Sequence, residues 1–122
     1  MKPYSGVHEP ACILCTRLAA HLTQVRGLYP DYFCGPVPPF GDEQPELLVV
    51  GLAPGLHGAN ASGRPFTGDH AGILLYQTLY DFGFASRPEA AGANDGLELI
   101  RCRITNAVKC LPPANKPLPE EV

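Results

Sequence analysis

The stretch that decides the fold covers residues 47–72 and reads LLVVGLAPGLHGANASGRPFTGDHAG. It begins with the apolar run LLVV, which predicts a fully buried strand over residues 46–51. It continues into AGILLYQTLYDF, which predicts a largely buried helix over residues 71–82. The connection between them is about twenty residues long and rich in glycine, and loops of that length in compact units are usually functional. We therefore expect the functional site in this loop.

The elements around this stretch predict an α/β fold. Residues 84–96 predict a solvated connector, and LELIRCRITNAV contains a second strand over residues 100–108. The order strand, loop, helix, strand indicates a right-handed βαβ crossover, and hence a three-layer α/β/α fold with a parallel sheet. A two-stranded parallel sheet buries little surface, and the final PEEV resembles the first turn of a helix. We expect residues 1–122 to be the N-terminal part of one domain, incomplete at its C-terminus.

Composition excludes several classes of protein. The chain has 122 residues, 45% of them hydrophobic, and a formal net charge of −3, so a nucleic-acid partner would need a local basic patch. No apolar run is long enough to cross a bilayer, and the opening MKPYSGVH predicts a loose arm rather than a signal peptide. We expect a cytoplasmic protein that does not bind membranes.

Five cysteines suggest a metal centre. Cys12 and Cys15 form a C-x2-C pair that we expect on one face of a helix over residues 9–26, and Cys110 follows far along the chain. Zinc and iron–sulfur clusters prefer four ligands, so the fourth would be Cys102, a histidine or a residue after the end of this sequence. The alternative is that these thiols are small core residues.

Two polar-and-glycine motifs follow the predicted strands. In GLAPGLHGAN (51–60), glycines allow backbone amides to approach an anion or a planar ligand, although this is neither a Walker loop nor GxGxxG. In GRPFTGDHAG (63–72), Phe66 could stack on a ring or pack in the core. Asp69 could cap the next helix or place a carboxylate at the site. His57 and His70 remain open as ligands, bases or surface residues.

The second strand ends in a polar residue at the edge where α/β sheets bind ligands. Asn106 lies in TNAVKCLPPANKP, and its amide can read a ring edge with one donor and one acceptor.

Together these motifs resemble the uracil-DNA glycosylase superfamily, and specifically its iron–sulfur branch, family 5 or type b. PVPPFGD, GLAPGLHGANASGRPFTGD and TNAVKCLPPANKP occur in the family's order, and the resemblance runs from the C-x2-C pair to the last residue. In family 4 the residue after the first glycine is usually acidic, whereas here it is Leu52, which favours family 5.

The resemblance implies an enzyme that flips uracil, or another deaminated base, out of DNA and hydrolyses its N-glycosidic bond. Asp69 would be the catalytic residue, stabilising the charged sugar or orienting water. Phe66 would stack on the base, and Asn106 would bond to its edge. The substrate-binding set would be Gly51, Leu52, Ala53, Pro54, Gly55, His57, Asn60, Phe66 and Asn106.

The resemblance also implies a [4Fe–4S] cluster with a structural role, bound by Cys12, Cys15 and Cys110, in a monomer. The family's fourth cysteine and its later histidine loop would lie beyond Val122, so we expect this chain alone to bind the cluster weakly and to show little activity. Two alternatives remain open from the residues: a non-catalytic nucleic-acid-binding module and a small zinc-binding domain.

Overall fold

The computed structural model describes residues 8–122, so the arm predicted at the start of the chain lies outside the described residues, apart from His8. The helices and strands are α1 (Thr16–Leu28), β1 (Phe40–Gly41), β2 (Leu47–Gly51), α2 (Ala59–Ser62), α3 (His70–Asp81) and β3 (Cys102–Asn106). Two short 3₁₀ turns follow β3, at Pro113–Asn115 and Pro119–Glu121. The α/β class is confirmed.

The strands form one mixed sheet in the order β1-β3-β2. β2 and β3 are parallel, with Leu47 opposite Cys102 and Gly51 opposite Asn106, which confirms the predicted crossover. β1 pairs antiparallel with β3, so the sheet is mixed and only its β2–β3 pair has the predicted parallel direction. No pattern in the sequence indicates β1, because a two-residue strand next to prolines has no periodicity to detect.

One face of the sheet carries the core. Tyr76 and Leu79 of α3 pack against Cys102 and Ile104 of β3. On the other face Leu48 and Val50 are more than half exposed, so the fully buried strand predicted over 46–51 is wrong. Successive side chains of β2 point to opposite faces of the sheet, and no helix in residues 8–122 covers the face that carries Leu48 and Val50. Of the three predicted layers, the described chain forms two.

Both main helices differ from the prediction. α1 begins at Thr16, so Cys15 is its N-cap and Cys12 lies in the preceding turn, where its amide donates to Glu9 O. The two cysteines therefore do not share a helix face, because spacings of three and four also occur in hydrogen-bonded turns. α3 begins at His70 and is only half buried, since Ile73 and Leu74 are 67% and 73% exposed.

The end of the chain is tied back to α1. The Arg17 guanidinium makes two hydrogen bonds to the Glu121 carboxylate, of 3.0 and 2.7 Å. The predicted helical first turn at the C-terminus is thus a 3₁₀ turn held against α1. Among residues 8–122, no helix has the length and apolarity required to cross a bilayer.

Candidate functional site

The two predicted functional loops leave the same edge of the sheet. Gly51 lies opposite Asn106 at the carboxyl ends of β2 and β3. The pairing continues past the strands, because Ala107 N donates to Gly51 O at 2.8 Å and Val108 N donates to Leu52 O at 2.9 Å. Within the described chain the amides of Leu52, Ala53 and Gly55 donate to no protein acceptor. They are available to a carbonyl or an anion.

Gly51 is the point where three predicted site residues meet. A Cβ added at Gly51 would lie 2.6 Å from Phe66 Cζ and would overlap Asn106 Oδ1. Only glycine therefore allows the Phe66 ring and the Asn106 amide to approach the end of β2 together. Asn106 is 4% exposed, and Phe66 is half-buried. An aromatic ring and an amide placed together in this way can bind a polar heterocycle.

The Phe66 backbone is held in an uncommon conformation. Its φ is +55°, in the left-handed region that non-glycine residues rarely adopt. Two contacts support it: the Tyr76 hydroxyl donates to Pro65 O at 2.6 Å, and Gly72 lies so close to Phe66 O that a Cβ there would overlap it. Such conformations persist where the surroundings determine them, most often at functional sites.

Asp69 has one oxygen engaged and one available. Oδ1 accepts a 2.8 Å hydrogen bond from Gly72 N, which confirms the predicted N-cap of α3. Oδ2 has no donor within the described residues and faces Gly58, where an added Cβ would lie 2.9 Å from it. The cap fixes the carboxylate, so its second oxygen is held beside the 51–58 loop.

A cavity of about 510 Å³ opens next to these residues. It is lined by Phe66 and Asp69, by the first turns of α3 and by residues 88–91. The exposed His70 also borders this cavity. Asn106 and residues 51–58 do not line it.

The remaining predicted residues of the 51–60 loop differ in accessibility. His57 is exposed, and its Nδ1 lies 2.8 Å from the hydroxyl of Tyr32. Asn60 is fully buried, and its Nδ2 donates to Leu56 O at 3.4 Å and more weakly to Cys34 Sγ. Its Oδ1 has no partner within the described chain. Pro54 is buried too, so Asn60 and Pro54 shape the loop from inside.

The structure brings three cysteines to a second cavity, of about 210 Å³, bordered by Cys12, Cys15 and Cys110. Burial, and then the proximity of the other two thiols, raises the pKa of Cys110 to about 11. No three His, Cys, Asp or Glu side chains in residues 8–122 are arranged to hold a metal ion. Cys102 is fully buried in the sheet core and does not border this cavity, whereas His8 does.

A comparison of the sequence with protein-family models identifies the chain. The model of the "Uracil DNA glycosylase superfamily" matches residues 38–122. The chain belongs to this superfamily. The match covers β1, the loops that meet at Gly51, and Cys110, but it begins after Cys12 and Cys15.

Comparison with individual members of the superfamily shows which of its branches the chain resembles. The chain is 47% identical over 117 residues to a type-5 uracil-DNA glycosylase of Thermus thermophilus, covering 92% of this chain and 53% of that protein. It is 42% identical over 115 residues to the type-5 enzyme of Pyrobaculum aerophilum (91% and 51%). A type-4 enzyme of Archaeoglobus fulgidus is 40% identical over 87 residues (70% and 36%). The chain thus spans about half the length of the type-5 relatives it matches.

Sequence reasoning missed two contacts beside these residues. The first is an ion pair between Arg64 and Asp95, a residue predicted to lie in a solvated connector. No local pattern indicates it, because the partners are 31 positions apart. The second is Lys109, whose ammonium donates to Asn106 O at 2.6 Å. Burial and the nearby positive charge of Arg103 lower the pKa of Lys109, so its ammonium is held where it is poorly hydrated.

Proposed function

We propose that this chain carries the base-binding half of an enzyme that excises uracil, and other deaminated bases, from DNA. The observation that carries the proposal is the meeting of Phe66 and Asn106 at Gly51, in a chain of the uracil-DNA glycosylase superfamily. The Phe66 ring supplies a stacking surface, and the Asn106 amide supplies one donor and one acceptor for the edge of a flipped base. The unpaired amides of Leu52 and Ala53 are donors for its carbonyl oxygens.

The reaction breaks the bond between the sugar C1′ and the base nitrogen. The bonding electron pair leaves with the base as an anion, positive charge develops on the sugar, and water then adds to C1′. The proton that the water loses neutralises the departed base. Asp69 is the carboxylate placed for this step, because its Oδ2 is held beside the 51–58 loop without a protein donor. A fixed negative charge stabilises the developing cation without reorganisation and orients the attacking water. Leu52 supplies no acid for either task.

His57 and Asn60 take different parts in this proposal. The exposed His57 imidazole, oriented by Tyr32, can meet the DNA strand at the rim of the loop. Asn60 supports the loop from its buried position and reaches the base only through the backbone it holds. Gly55 contributes its amide and the tight turn that Gly58 N closes by donating to Gly55 O.

The cofactor we propose is a [4Fe–4S] cluster, which the type-4 and type-5 branches of the superfamily usually bind. What supports a thiolate-bound group is that Cys12, Cys15 and Cys110 border one cavity. When bound, the cluster would tie the segment before α1 to the loop after β3 and serve structure rather than electron transfer. Zinc held by the same thiols and His8 is the alternative.

The partner in this proposal is DNA that contains uracil or another deaminated base, bound by a cytoplasmic monomer. A net charge of −3 means that phosphate contacts depend on local cations. Salt-dependent binding that tracks uracil content would support this assignment.

The experiment that tests the function is uracil release by the complete gene product carrying Asp69→Asn. Asparagine caps helices as well as aspartate does, so α3 should keep its stability while the charge at the site is lost. We expect release from a uracil-containing oligonucleotide to fall by about 100-fold or more. The control is Glu46→Gln, which removes an exposed carboxylate that pairs with Arg101 at the opposite end of β2.

Two results would contradict the proposal. Near-full activity of Asp69→Asn would remove Asp69 from the reaction. Binding of uracil-containing DNA by the wild type without any base release would identify a non-catalytic binding module instead.

A further inference from the structure

Phe66 lies in a hydrogen-bonded turn, at a position that usually requires glycine. Thr67 N donates to Arg64 O at 3.3 Å, which closes a turn over residues 64–67. Pro65 occupies the second position of this turn, and Phe66, at the third position, has a φ of +55°. Proline followed by a residue with positive φ is the pattern of a type II turn, whose third residue is usually glycine or asparagine. A phenylalanine in this place needs support from its surroundings.

The competing conformation of this turn is reached by the flip of one peptide. Type I and type II turns differ in the orientation of the peptide between the second and third residues, and in type I the third residue has a negative φ that phenylalanine adopts without strain. Here that peptide joins Pro65 to Phe66. A flip would turn Pro65 O to the other side of the turn and tilt the Cα–Cβ bond of Phe66. The ring would move with that bond, and its Cζ, which is the atom closest to Gly51, would move farthest.

The Tyr76 hydroxyl holds this peptide in its observed orientation. It donates to Pro65 O at 2.6 Å, and Tyr76 lies on α3 with 1% of its surface exposed. Burial raises the pKa of Tyr76 to about 12, so the hydroxyl keeps the proton that it donates. The Thr67 hydroxyl donates to the same oxygen at 3.2 Å, but it belongs to the turn itself. Within residues 8–122, only the bond from Tyr76 ties this carbonyl to a helix.

We propose that Tyr76 is a positioning residue whose hydroxyl selects the turn that places the Phe66 ring beside Asn106 for stacking on the base. The inference rests on the proposed function. Tyr76 acts on the reaction only through the Pro65–Phe66 peptide. A buried hydrogen bond and the strain of a left-handed phenylalanine are similar in size, so loss of the hydroxyl allows the peptide to flip.

The first test is the crystal structure of the complete gene product carrying Tyr76→Phe. Phenylalanine keeps the ring that packs in the core and loses only the hydroxyl. We expect the φ of Phe66 to become negative and Pro65 O to turn away from α3. Tyr80→Phe is the matched control, because the same atom is removed from an exposed residue one turn later on α3. A φ that stays near +55° in Tyr76→Phe would overturn the proposal whatever the activity.

The second test is a double-mutant cycle of Tyr76→Phe with Phe66→Ala, measured as uracil release per folded molecule. A displacement of about 1 Å lowers rates by up to about 100-fold, so we expect Tyr76→Phe to lower kcat/KM by about 10- to 100-fold. In the Phe66→Ala background we expect less than about a 3-fold further loss, because the ring through which Tyr76 acts is gone. Tyr76→Phe should also raise the inhibition constant of free uracil by about 5-fold or more, since stacking on an aromatic ring contributes at least that much to binding. A residue that served stability alone would change neither the cycle nor this constant.

Two kinetic results would also overturn the proposal. One is a kcat/KM of Tyr76→Phe that equals that of Tyr80→Phe, and the other is an equal loss with and without the Phe66 ring. If the wild type releases no uracil, the proposed function fails separately. The two crystal structures then still decide whether the Tyr76 hydroxyl selects the turn: a flipped Pro65–Phe66 peptide in Tyr76→Phe supports that selection, and an unchanged peptide refutes it.

Discussion

The substitution Gly51→Ala tests whether the meeting point of Phe66 and Asn106 is the base-binding site. The new Cβ would lie 2.6 Å from Phe66 Cζ, whereas ordinary contact begins at 3.4 Å, so the ring must retreat by about 0.8 Å. The Cβ would also overlap Asn106 Oδ1, so both base-binding groups must move. A displacement on the order of 1 Å lowers rates by about 100-fold, or about 2.7 kcal/mol of transition-state stabilisation.

The assay is single-turnover uracil release from a labelled oligonucleotide by the complete gene product, with the rate divided by the folded fraction. Overpacking also lowers stability by about 1–3 kcal/mol, which thermal unfolding measures separately. Gly27→Ala is the control, because nothing lies within 4 Å of its added Cβ and alanine favours the helix. A Gly51→Ala protein that releases uracil within about 3-fold of the wild-type rate would show that Phe66 and Asn106 do not bind the base at Gly51.

The Arg64–Asp95 pair and the cysteine cavity give two further predictions. The hydrogen bonds from Arg64 lower the pKa of the Asp95 carboxyl, and burial raises it by less. The pKa is therefore held well below its usual range. Its stabilisation is therefore present above about pH 4 and is lost as the pH falls below that value. Asp95→Asn should lower the free energy of unfolding by about 3 kcal/mol at pH 7, with the difference from wild type shrinking below pH 4 in thermal melts. Cys110→Ser should remove iron and visible absorption near 400 nm from the purified complete protein, while Cys102→Ser should keep both, and equal loss in the two variants would refute our ligand assignment.

The distance along the chain between interacting residues explains which parts of the fold could be predicted. The strand before the long loop, the helix after it and the Asp69 cap depend on neighbours within a few residues, so hydrophobic runs and capping residues indicate them. The formation of β1, and which side of each helix or strand is buried, depend instead on partners that are far away in the sequence. The sequence therefore misplaced the burial of Leu48, Val50 and Ile73, which are apolar but exposed in the described chain.

The cysteines show the same division. Their residue types and spacing predict a shared site, and the structure does place Cys12, Cys15 and Cys110 around one cavity. The helix face invoked to join two of them is wrong, because α1 begins only at Thr16. Only the fold shows that Cys102 lies apart from this cavity, because its burial in the sheet is a tertiary property.

By itself, the sequence determined the superfamily and the α/β class, because a motif needs only residue types in a fixed order. The tertiary structure alone decided that Phe66 and Asn106 meet at Gly51, that Asn60 is enclosed, and that Asp95 holds Arg64. Phe66 and Asn106 lie 15 and 55 positions from Gly51 along the chain, and Asp95 lies 31 positions from Arg64. Such contacts form only when parallel pairing of β2 with β3 and packing of α3 bring the segments together. No local pattern of polarity or propensity encodes such a contact, since the free energy that favours it comes from burying surfaces that are distant along the chain.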